Sequence, residues 1–278
     1  MLCSEGFTAT GPVSLNGAQI ARSLSFAAAR LRSPRSSEYA LLADSLAVDE
    51  DMLCDGLIAD GGIVLGGHIR GLLSFEGATL NNHGGRALVS DGLIVDKVMF
   101  CRRGFAACGE VRLPAARIGG RLYFDGARLS NPGGRALVAS RLSVGQDLFC
   151  RTQRSDEDIQ PFSAEGEINL RGAHIGGDLD CSGAAVSNPD GHALDGDGLV
   201  VEHYLRCNEG FTAEGMVNLR GARVGGQLTF GGATLTNRNQ RTLDLQELAA
   251  QVLVLRPRTA PNGQVDLTHA HVRVLGPC

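Results

Sequence analysis

The cysteines are the residues of this sequence best suited to metal or redox chemistry, because thiolates bind soft metals and paired thiols form disulfides. The chain has eight of them. Cys181 lies two residues after a Leu, whereas Cys108 and Cys278 fall outside this pattern and are predicted to be the more reactive thiols. Five others recur at equivalent places, each two residues after a Met or Leu: Cys3, Cys54, Cys101, Cys150 and Cys207.

A second recurring set combines asparagines with basic residues in loop segments such as NNHGGRAL at 81–88. Asn, Pro and Gly favour turns, so one interpretation is a repeated turn in which Asn bonds to its own backbone. The other is a basic ridge that binds an anionic ligand or protein, because guanidinium groups pair with carboxylate and phosphate. The candidate binding residues are Asn82, Arg86, Asn131, Arg135, Asn188, His192, Asn237 and Arg241.

Acidic and imidazole groups are the remaining candidates for catalysis. Asp156, Glu157 and Asp158 lie in the polar stretch 151–161, and loops of this kind often carry function. These three are the candidate catalytic or docking residues. His269 and His271 are expected to point outward from one face, but two ligands make a weak metal site, so no metal is predicted.

The whole chain is a repeat, and this repeat must position the residues above. Aromatic or Leu residues mark its register at intervals of 50, 48, 57 and 49 residues, and the long interval holds an eight-residue excess within 151–161. Apolar pairs such as Val217/Leu219 and Ala222/Val224 recur every five or six residues, eight pairs per unit. This spacing indicates short strands and turns rather than helices.

The predicted fold is an all-β, right-handed parallel β-helix (solenoid), formed by a single domain over 1–278 with an inserted loop at 151–161. Eight apolar pairs per unit divide into two four-sided coils. A three-sided helix with longer sides remains an alternative. About eleven coils at ~4.8 Å spacing give a rod roughly 50 Å long.

Several segments resemble pentapeptide-repeat proteins, which place a small residue two positions before a central Leu or Phe. The matching segments are Ala18-Gln19-Ile20, Ala78-Thr79-Leu80, Ala127-Arg128-Leu129 and Ala233-Thr234-Leu235. The resemblance implies a four-sided β-helix of bacterial origin. It also implies an activity, since members of this family regulate DNA gyrase by imitating duplex DNA with acidic stripes. Asp44, Asp91 and Asp197 align in such a column here, interrupted by Ser140.

The repeat also sets the distance between the five aligned cysteines. One unit advances two coils, so neighbours in that set are expected ~10 Å apart, too far for a disulfide or a shared zinc ion. Their position after an apolar residue predicts that they point inward as small core residues. No cofactor is predicted.

Composition excludes several classes of function. The net charge of −4 gives no general attraction to nucleic acid or anionic membrane. Trp is absent and aromatic residues are few, so platforms for stacking sugars or bases are lacking. The sequence has no apolar run long enough to span a membrane and no signal-peptide pattern, so a cytoplasmic location is expected.

These observations lead to the prediction of a non-catalytic rigid scaffold, or protein-binding rod, whose specificity resides in the Asn/Arg loops and the 151–161 insert. One alternative is a regulator of DNA gyrase or topoisomerase that mimics a duplex. Another is an enzyme with a side groove near the insert. The expected partner is another protein or a second copy meeting the ends of the helix, since open sheet edges favour association. Met1 aligns with mid-unit Met52, so the chain either begins abruptly or is a fragment of a longer protein.

Overall fold

The computed structural model describes residues 3, 6–33, 38–154, 159–237 and 241–276. All regular secondary structure in these ranges is β. The strands are β1 (Thr8–Ala9), β2 (Val13–Ser14), β3 (Gln19–Ile20), β4 (Leu24–Ser25), β5 (Arg30–Arg32), β6 (Tyr39–Val48), β7 (Met52–Leu53), β8 (Ile58–Asp60), β9 (Gly62–Ile69), β10 (Leu73–Ser74), β11 (Thr79–Val89), β12 (Ile94–Val95), β13 (Met99–Phe100), β14 (Ala106–Arg112), β15 (Arg117–Ile118), β16 (Leu122–Tyr123), β17 (Arg128–Val138), β18 (Ser143–Val144), β19 (Leu148–Phe149), β20 (Gln153–Arg154), β21 (Ile159–Gln160), β22 (Ser163–Asn169), β23 (His174–Ile175), β24 (Leu179–Asp180), β25 (Ala185–Asp195), β26 (Val200–Val201), β27 (Leu205–Arg206), β28 (Thr212–Asn218), β29 (Arg223–Thr229), β30 (Thr234–Thr236), β31 (Arg241–Asp244), β32 (Ala249–Val254), β33 (Gln264–Asp266) and β34 (His271–Leu275).

The strands wind into a parallel solenoid of about 10 turns, as the spacing of apolar pairs predicted. Equivalent residues stack in register from one turn to the next, so that Leu73, Met99, Leu122, Leu148 and Leu179 form one column. Alternate residues of each short strand point inward because side chains alternate across a strand. The all-β solenoid is therefore confirmed, whereas the winding direction, the number of sides and the count of eleven coils stay predictions.

The interior is a continuous apolar core that runs along the solenoid axis. Fully buried Phe and Leu side chains stack between turns, and the rings of Phe75 and Phe105 lie 6.2 Å apart. Each such residue contributes about 1.5–3 kcal/mol by leaving water. An exposed ion pair contributes about 0–1 kcal/mol. The free energy of folding therefore comes mainly from the apolar core, and each exposed ion pair contributes little to it.

The loop segments explain why the sequence repeats every two turns. The 11-residue strands β11, β17 and β25 contain these loops, and they alternate with the seven-residue strands β14, β22 and β28. Gly109 of β14 has φ +118°, and a Cβ there would lie 2.4 Å from the backbone O of Asn82 in the loop above. Gly166 and Gly215 take the same place beneath the next two loops. Each of these three loops therefore requires a glycine in the following turn.

The stretch predicted to be an insert contains two strands that pair with each other. Strands β20 and β21 form a two-stranded antiparallel hairpin, separate from the parallel sheet, between buried Cys150 and buried Phe162. Asp156, Glu157 and Asp158 lie outside the described residues. In the ranges that are described, no helix is long and apolar enough to cross a membrane.

Candidate functional site

The hairpin β20–β21 is packed against the side of the solenoid. The Gln153 side-chain oxygen accepts a hydrogen bond from the backbone N–H of Arg103 at 3.1 Å. A Cβ on Gly126 would lie 3.0 Å from the Cβ of Gln153 and 3.2 Å from that of Gln160, so glycine allows this close approach. The hairpin is thus held by two preceding turns of the rod.

Two arginine-lined grooves meet at the base of the hairpin. The first has a volume of about 370 Å³, and Asp125 is its one described acidic lining residue. Its arginines are Arg102, Arg103, Arg151 and Arg154. The second, of about 320 Å³, shares two of them and adds Arg206. Asp180 and Glu209 also line it, so the second groove is more balanced in charge.

A ladder of half-buried aromatic rings positions two of these arginines. Phe100, Tyr123 and Phe149 stack on successive turns with centroids 5.3 and 5.1 Å apart. The Arg102 guanidinium lies 4.3 Å from the Phe100 centroid, and that of Arg151 lies 3.9 Å from Phe149. Stacking of this kind fixes the plane of a guanidinium and leaves its edge free for hydrogen bonds.

Carboxylates complete the arrangement of the grooves. Arg151 binds buried Asp125 through Nε at 3.1 Å and Nη2 at 2.9 Å, and this contact raises the pKa of Arg151. Arg102 Nε lies 2.6 Å from Glu76 Oε1. Arg103 reaches Glu76 at 3.4 Å and keeps a side chain that is 61% exposed. Arg103 and the exposed Arg154 are therefore the groups most open to an incoming anion.

The arginine side chains of this site are suited to pairing with anions. Arginine stays protonated and only donates hydrogen bonds, so it suits carboxylates and phosphates. The enzyme alternative placed an active site in a side groove near the insert, and the first groove is lined by several ionisable groups. Its one described acid, Asp125, is already engaged by Arg151. The catalytic prediction for Asp156, Glu157 and Asp158 is not tested, because these residues are not described.

The asparagines of the loops bond to their own backbone, as the turn interpretation proposed. The side-chain N–H groups of Asn82, Asn131 and Asn188 each donate at 2.9 Å to the carbonyl four residues later. Asn237 makes the same bond to Arg241. The side-chain nitrogen of each asparagine therefore donates a hydrogen bond within its own loop.

Three of the four basic residues in the loops lie within 4.0 Å of a carboxylate oxygen. Arg241 lies 2.6 Å from Asp244 and 3.1 Å from Asp266. His192 Nδ1 lies 3.7 Å from Asp195, and Arg135 Nε lies 3.8 Å from Glu167. Arg86 is exposed, with Glu110 as its register partner on the next turn. The predicted binding role of the column stays a prediction, and its basic groups face carboxylates of the rod.

A ladder of buried polar residues was missed by the sequence analysis. Its members are 2–9% exposed, and each accepts a hydrogen bond from the backbone N–H two residues later, which closes a turn. They are Asn169, Asp195, Asn218, Asp244 and Asp266. Hydrogen bonds from Thr268 to Asp266 lower the pKa of Asp266 to about 2. The repeated NLRG at 169–172 and 218–221 was the available signal.

The acidic column that suggested duplex mimicry is interrupted by neighbours of other types. Asp91 lies 2.7 Å from Arg112, and Asp197 lies 2.7 Å from Arg171. Backbone hydrogen bonds connect this corner from one turn to the next. Along that series, Pro114 and Arg171 occupy turns between Asp91 and Asp197. Across the described ranges this column is therefore not a continuous negative stripe, which was the feature that mimicry required.

Neighbours among the five aligned cysteines lie two turns apart where their register is described, as the ~10 Å prediction required, but the sequence did not place Cys181 between two of them. Cys54 and Cys101 are separated by Phe75 in the same column, as expected for alternate turns. Cys181, however, lies in that column between Cys150 and Cys207, because Leu148, Leu179 and Leu205 are in register. All the aligned cysteines are buried, as predicted. The described residues include no group of three or more metal ligands arranged to hold an ion.

The ends that were predicted to associate carry less of the core than the middle. Phe7 and Val13 are only partly buried at one end. At the other end Val274 and Leu275 of β34 are 53% and 69% exposed. These positions are where an additional strand or turn could add to the sheet.

Comparison with known proteins identifies no relative: no family model, no curated protein and no solved structure matches this chain. The pentapeptide-repeat resemblance therefore rests on the sequence pattern alone, while the parallel β-solenoid is established by the structure.

Proposed function

We propose that this protein is a non-catalytic binding rod that recognises an acidic, partly apolar segment of another protein at the β20–β21 hairpin. The observation that carries this proposal is the position of Ile159. Its side chain is 63% exposed on β21, directly across from Arg154, beside two arginine-lined grooves. An exposed apolar residue whose cross-strand neighbour is an arginine favours a partner with an apolar anchor next to a carboxylate.

The rod supplies rigidity to this site. Arg102 and Arg151 are held by stacking and by their acids before any partner arrives, so less conformational entropy is lost on binding. Arg103 and Arg154 provide exposed donors that can pair with carboxylates of the partner. The loop column is a weaker candidate, because its asparagines are bonded within the loops and three of its basic groups face acids of the rod.

A displayed library of random peptides tests the proposal, because it samples every combination of anchor and flanking charge at once. Selection on the intact chain is expected to enrich peptides with a large apolar residue flanked by Asp or Glu. The double variant Ile159→Asp/Arg154→Glu is expected to bind the selected peptides at least about tenfold more weakly, because the anchor is lost and the charge is reversed.

The matched control is the triple replacement of Arg86, Arg135 and Arg241 by Ala, which changes the loop column and leaves the hairpin intact. Equal binding by this control and by the unchanged chain is expected. Selected peptides that bind the hairpin variant normally would contradict the proposal. Loss of binding in the loop variant alone would assign recognition to the loop column instead. Circular dichroism confirms that each variant retains its β structure.

A further inference from the structure

Three cysteine thiols occupy consecutive turns of the core, starting with the turn from which the hairpin leaves the solenoid. Register pairing of Leu148, Leu179 and Leu205 places Cys150, Cys181 and Cys207 one above the other. Backbone hydrogen bonds of 2.8 Å from Cys150 to Asp180 and from Cys181 to Arg206 keep the turns aligned. Neighbouring parallel strands are about 4.8 Å apart, which lies within the Cα separation that a disulfide accepts.

The same column also contains cysteines that are not adjacent to one another. Elsewhere in it Phe residues separate the cysteines, as Phe75 separates Cys54 from Cys101. These two isolated thiols are completely buried, and burial raises the pKa of both. Only around the insert, among the described turns, do thiols follow one another directly. Adjacency is thus a local feature rather than a property of the repeat.

Two thiols of the triplet are slightly exposed to solvent. Cys150 and Cys181 keep 4% and 7% exposure, whereas Cys54, Cys101 and Cys207 have none. The chain leaves the solenoid for the hairpin just after Cys150, and a small apolar cavity of about 10 Å³ borders both partly exposed cysteines. The packing therefore leaves a small gap beside these two thiols.

Hydrogen bonding distinguishes the middle thiol. Interaction with the neighbouring thiols of Cys150 and Cys207 lowers the pKa of Cys181. The same interaction, together with burial, raises the pKa of Cys150 and of Cys207. A thiol with more thiolate character reacts first with peroxide, and its neighbour then completes the disulfide.

We infer that Cys150 and Cys181 form a redox-sensitive disulfide, beginning at the turn from which the hairpin leaves the solenoid, when the protein meets hydrogen peroxide. The Cys181 thiolate attacks one peroxide oxygen, the O–O bond breaks, and hydroxide leaves and takes up a proton to become water. Cys181 is then a sulfenic acid. The Cys150 sulfur attacks the Cys181 sulfur, the S–O bond breaks, and a second water leaves. Two thiols and one peroxide become one disulfide and two waters, and two electrons pass from sulfur to oxygen.

The disulfide would join the turn before the hairpin to the turn after it. Oxidation would therefore fix the base of the hairpin, next to both arginine grooves. This modification stands independently of the proposed peptide recognition, because it concerns the core thiols and is measured without any partner.

The experiment oxidises the folded full-length chain with hydrogen peroxide, with Cys108 and Cys278 replaced by Ser to remove competing thiols. Remaining thiols are then alkylated and the chain is analysed by mass spectrometry. The expected result is a loss of two alkylatable thiols, a mass lower by about 2 Da before alkylation, and a cross-linked peptide pair containing Cys150 and Cys181. Circular dichroism during oxidation checks that the chain stays folded.

Two variants with small side chains provide the controls. Cys181→Ala is expected to abolish the disulfide, whereas Cys101→Ala, a buried cysteine of the same column, is expected to leave it unchanged. The inference is overturned if no intramolecular disulfide forms in the folded chain, if it forms only after denaturation, or if the cross-link joins Cys181 to Cys207 instead.

Discussion

At the scale of single residues, the polar side chains of this rod are largely committed to holding the rod itself. Asx-type turns at Asp195, Asp244 and Asp266 satisfy backbone N–H groups, and asparagines in the loops do the same for carbonyls. Buried polar groups must be paired in this way, since an unpaired one costs about 1–3 kcal/mol. A polar residue that recurs in every unit is therefore more readily explained by turn chemistry than by a ligand.

Replacing Asp266 with Asn tests this role of the ladder. The pKa of Asp266 is lowered to about 2 from 3.8, chiefly by hydrogen bonds from Thr268, so the folded state favours the charged form. Its contribution to stability is present above pH 3.8 and is lost as the pH falls to about 2. The wild type is expected to be more stable than Asp266→Asn at pH 6, with the difference shrinking between these two values.

Urea unfolding at several pH values, followed by circular dichroism, measures the difference. Glu209→Gln is a surface control that lies outside the ladder, and its stability relative to wild type should not change in this way. A gap between wild type and Asp266→Asn that is independent of pH would refute the assignment of the lowered pKa to this hydrogen-bond network.

At the scale of elements, each loop and the strand beneath it form one unit across two turns. The loop of β11 covers β14 so closely that only glycine fits at position 109. Gly109 has φ +118° and no room for a Cβ beside the Asn82 carbonyl. The period of two turns thus has a steric cause, and it does not depend on any ligand.

We expect Gly109→Ala to destabilise the protein by about 2–4 kcal/mol, because backbone strain and steric overlap add. Gly92→Ala is the matched control. Gly92 also has positive φ, at +68°, but a Cβ there meets nothing within 4 Å, so about 1 kcal/mol is expected. Chemical denaturation measures both. Equal losses for the two variants would show that the loop does not press on Gly109.

The hairpin is the element that departs from this regular pattern, and three features coincide there. It follows the aromatic ladder, it stands beside the arginine grooves, and it leaves the solenoid from the turn that begins the run of consecutive thiols. A regular turn buries its apolar residues and pairs its strands, so it offers few unsatisfied groups. An interruption exposes Ile159 and opens the packing around Cys150 and Cys181. For this reason both proposals concern the same region.

At the scale of the whole molecule, the solenoid has contacts only between neighbouring turns, so its stability is distributed along one axis. The core residues of central turns, such as Met99 and Leu122, are covered on both sides. Those of outer turns, such as Val13 and Val272, are covered on one side and stay partly buried. Local opening is therefore expected to begin at the outer turns of the rod.

Native-state hydrogen exchange tests this gradient. Amides of β13 and β16 are expected to exchange at least about 100-fold more slowly than those of β2 and β34, because central turns open only after outer ones. A uniform exchange rate along the rod would show instead that the chain opens in a single cooperative step.

The all-β solenoid and the inward direction of the aligned cysteines could be predicted from the amino-acid sequence. These follow from local alternation of apolar residues and from turn residues, which act over a few positions. The alignment of turns is not local. Cys181 was recognised as inward-pointing, but its contact with Cys150 depends on how the register continues after the hairpin.

The tertiary structure alone decided which charged and polar groups meet. Arg241 reaches Asp266 across a turn, and Arg151 combines the ring of Phe149, two residues earlier, with Asp125 from the turn before. Both contacts depend on stacking at about 4.8 Å between residues distant in sequence. This stacking places basic residues of the loops beside carboxylates of neighbouring turns. It also brings arginines, the exposed Ile159 and adjacent thiols close together around the hairpin.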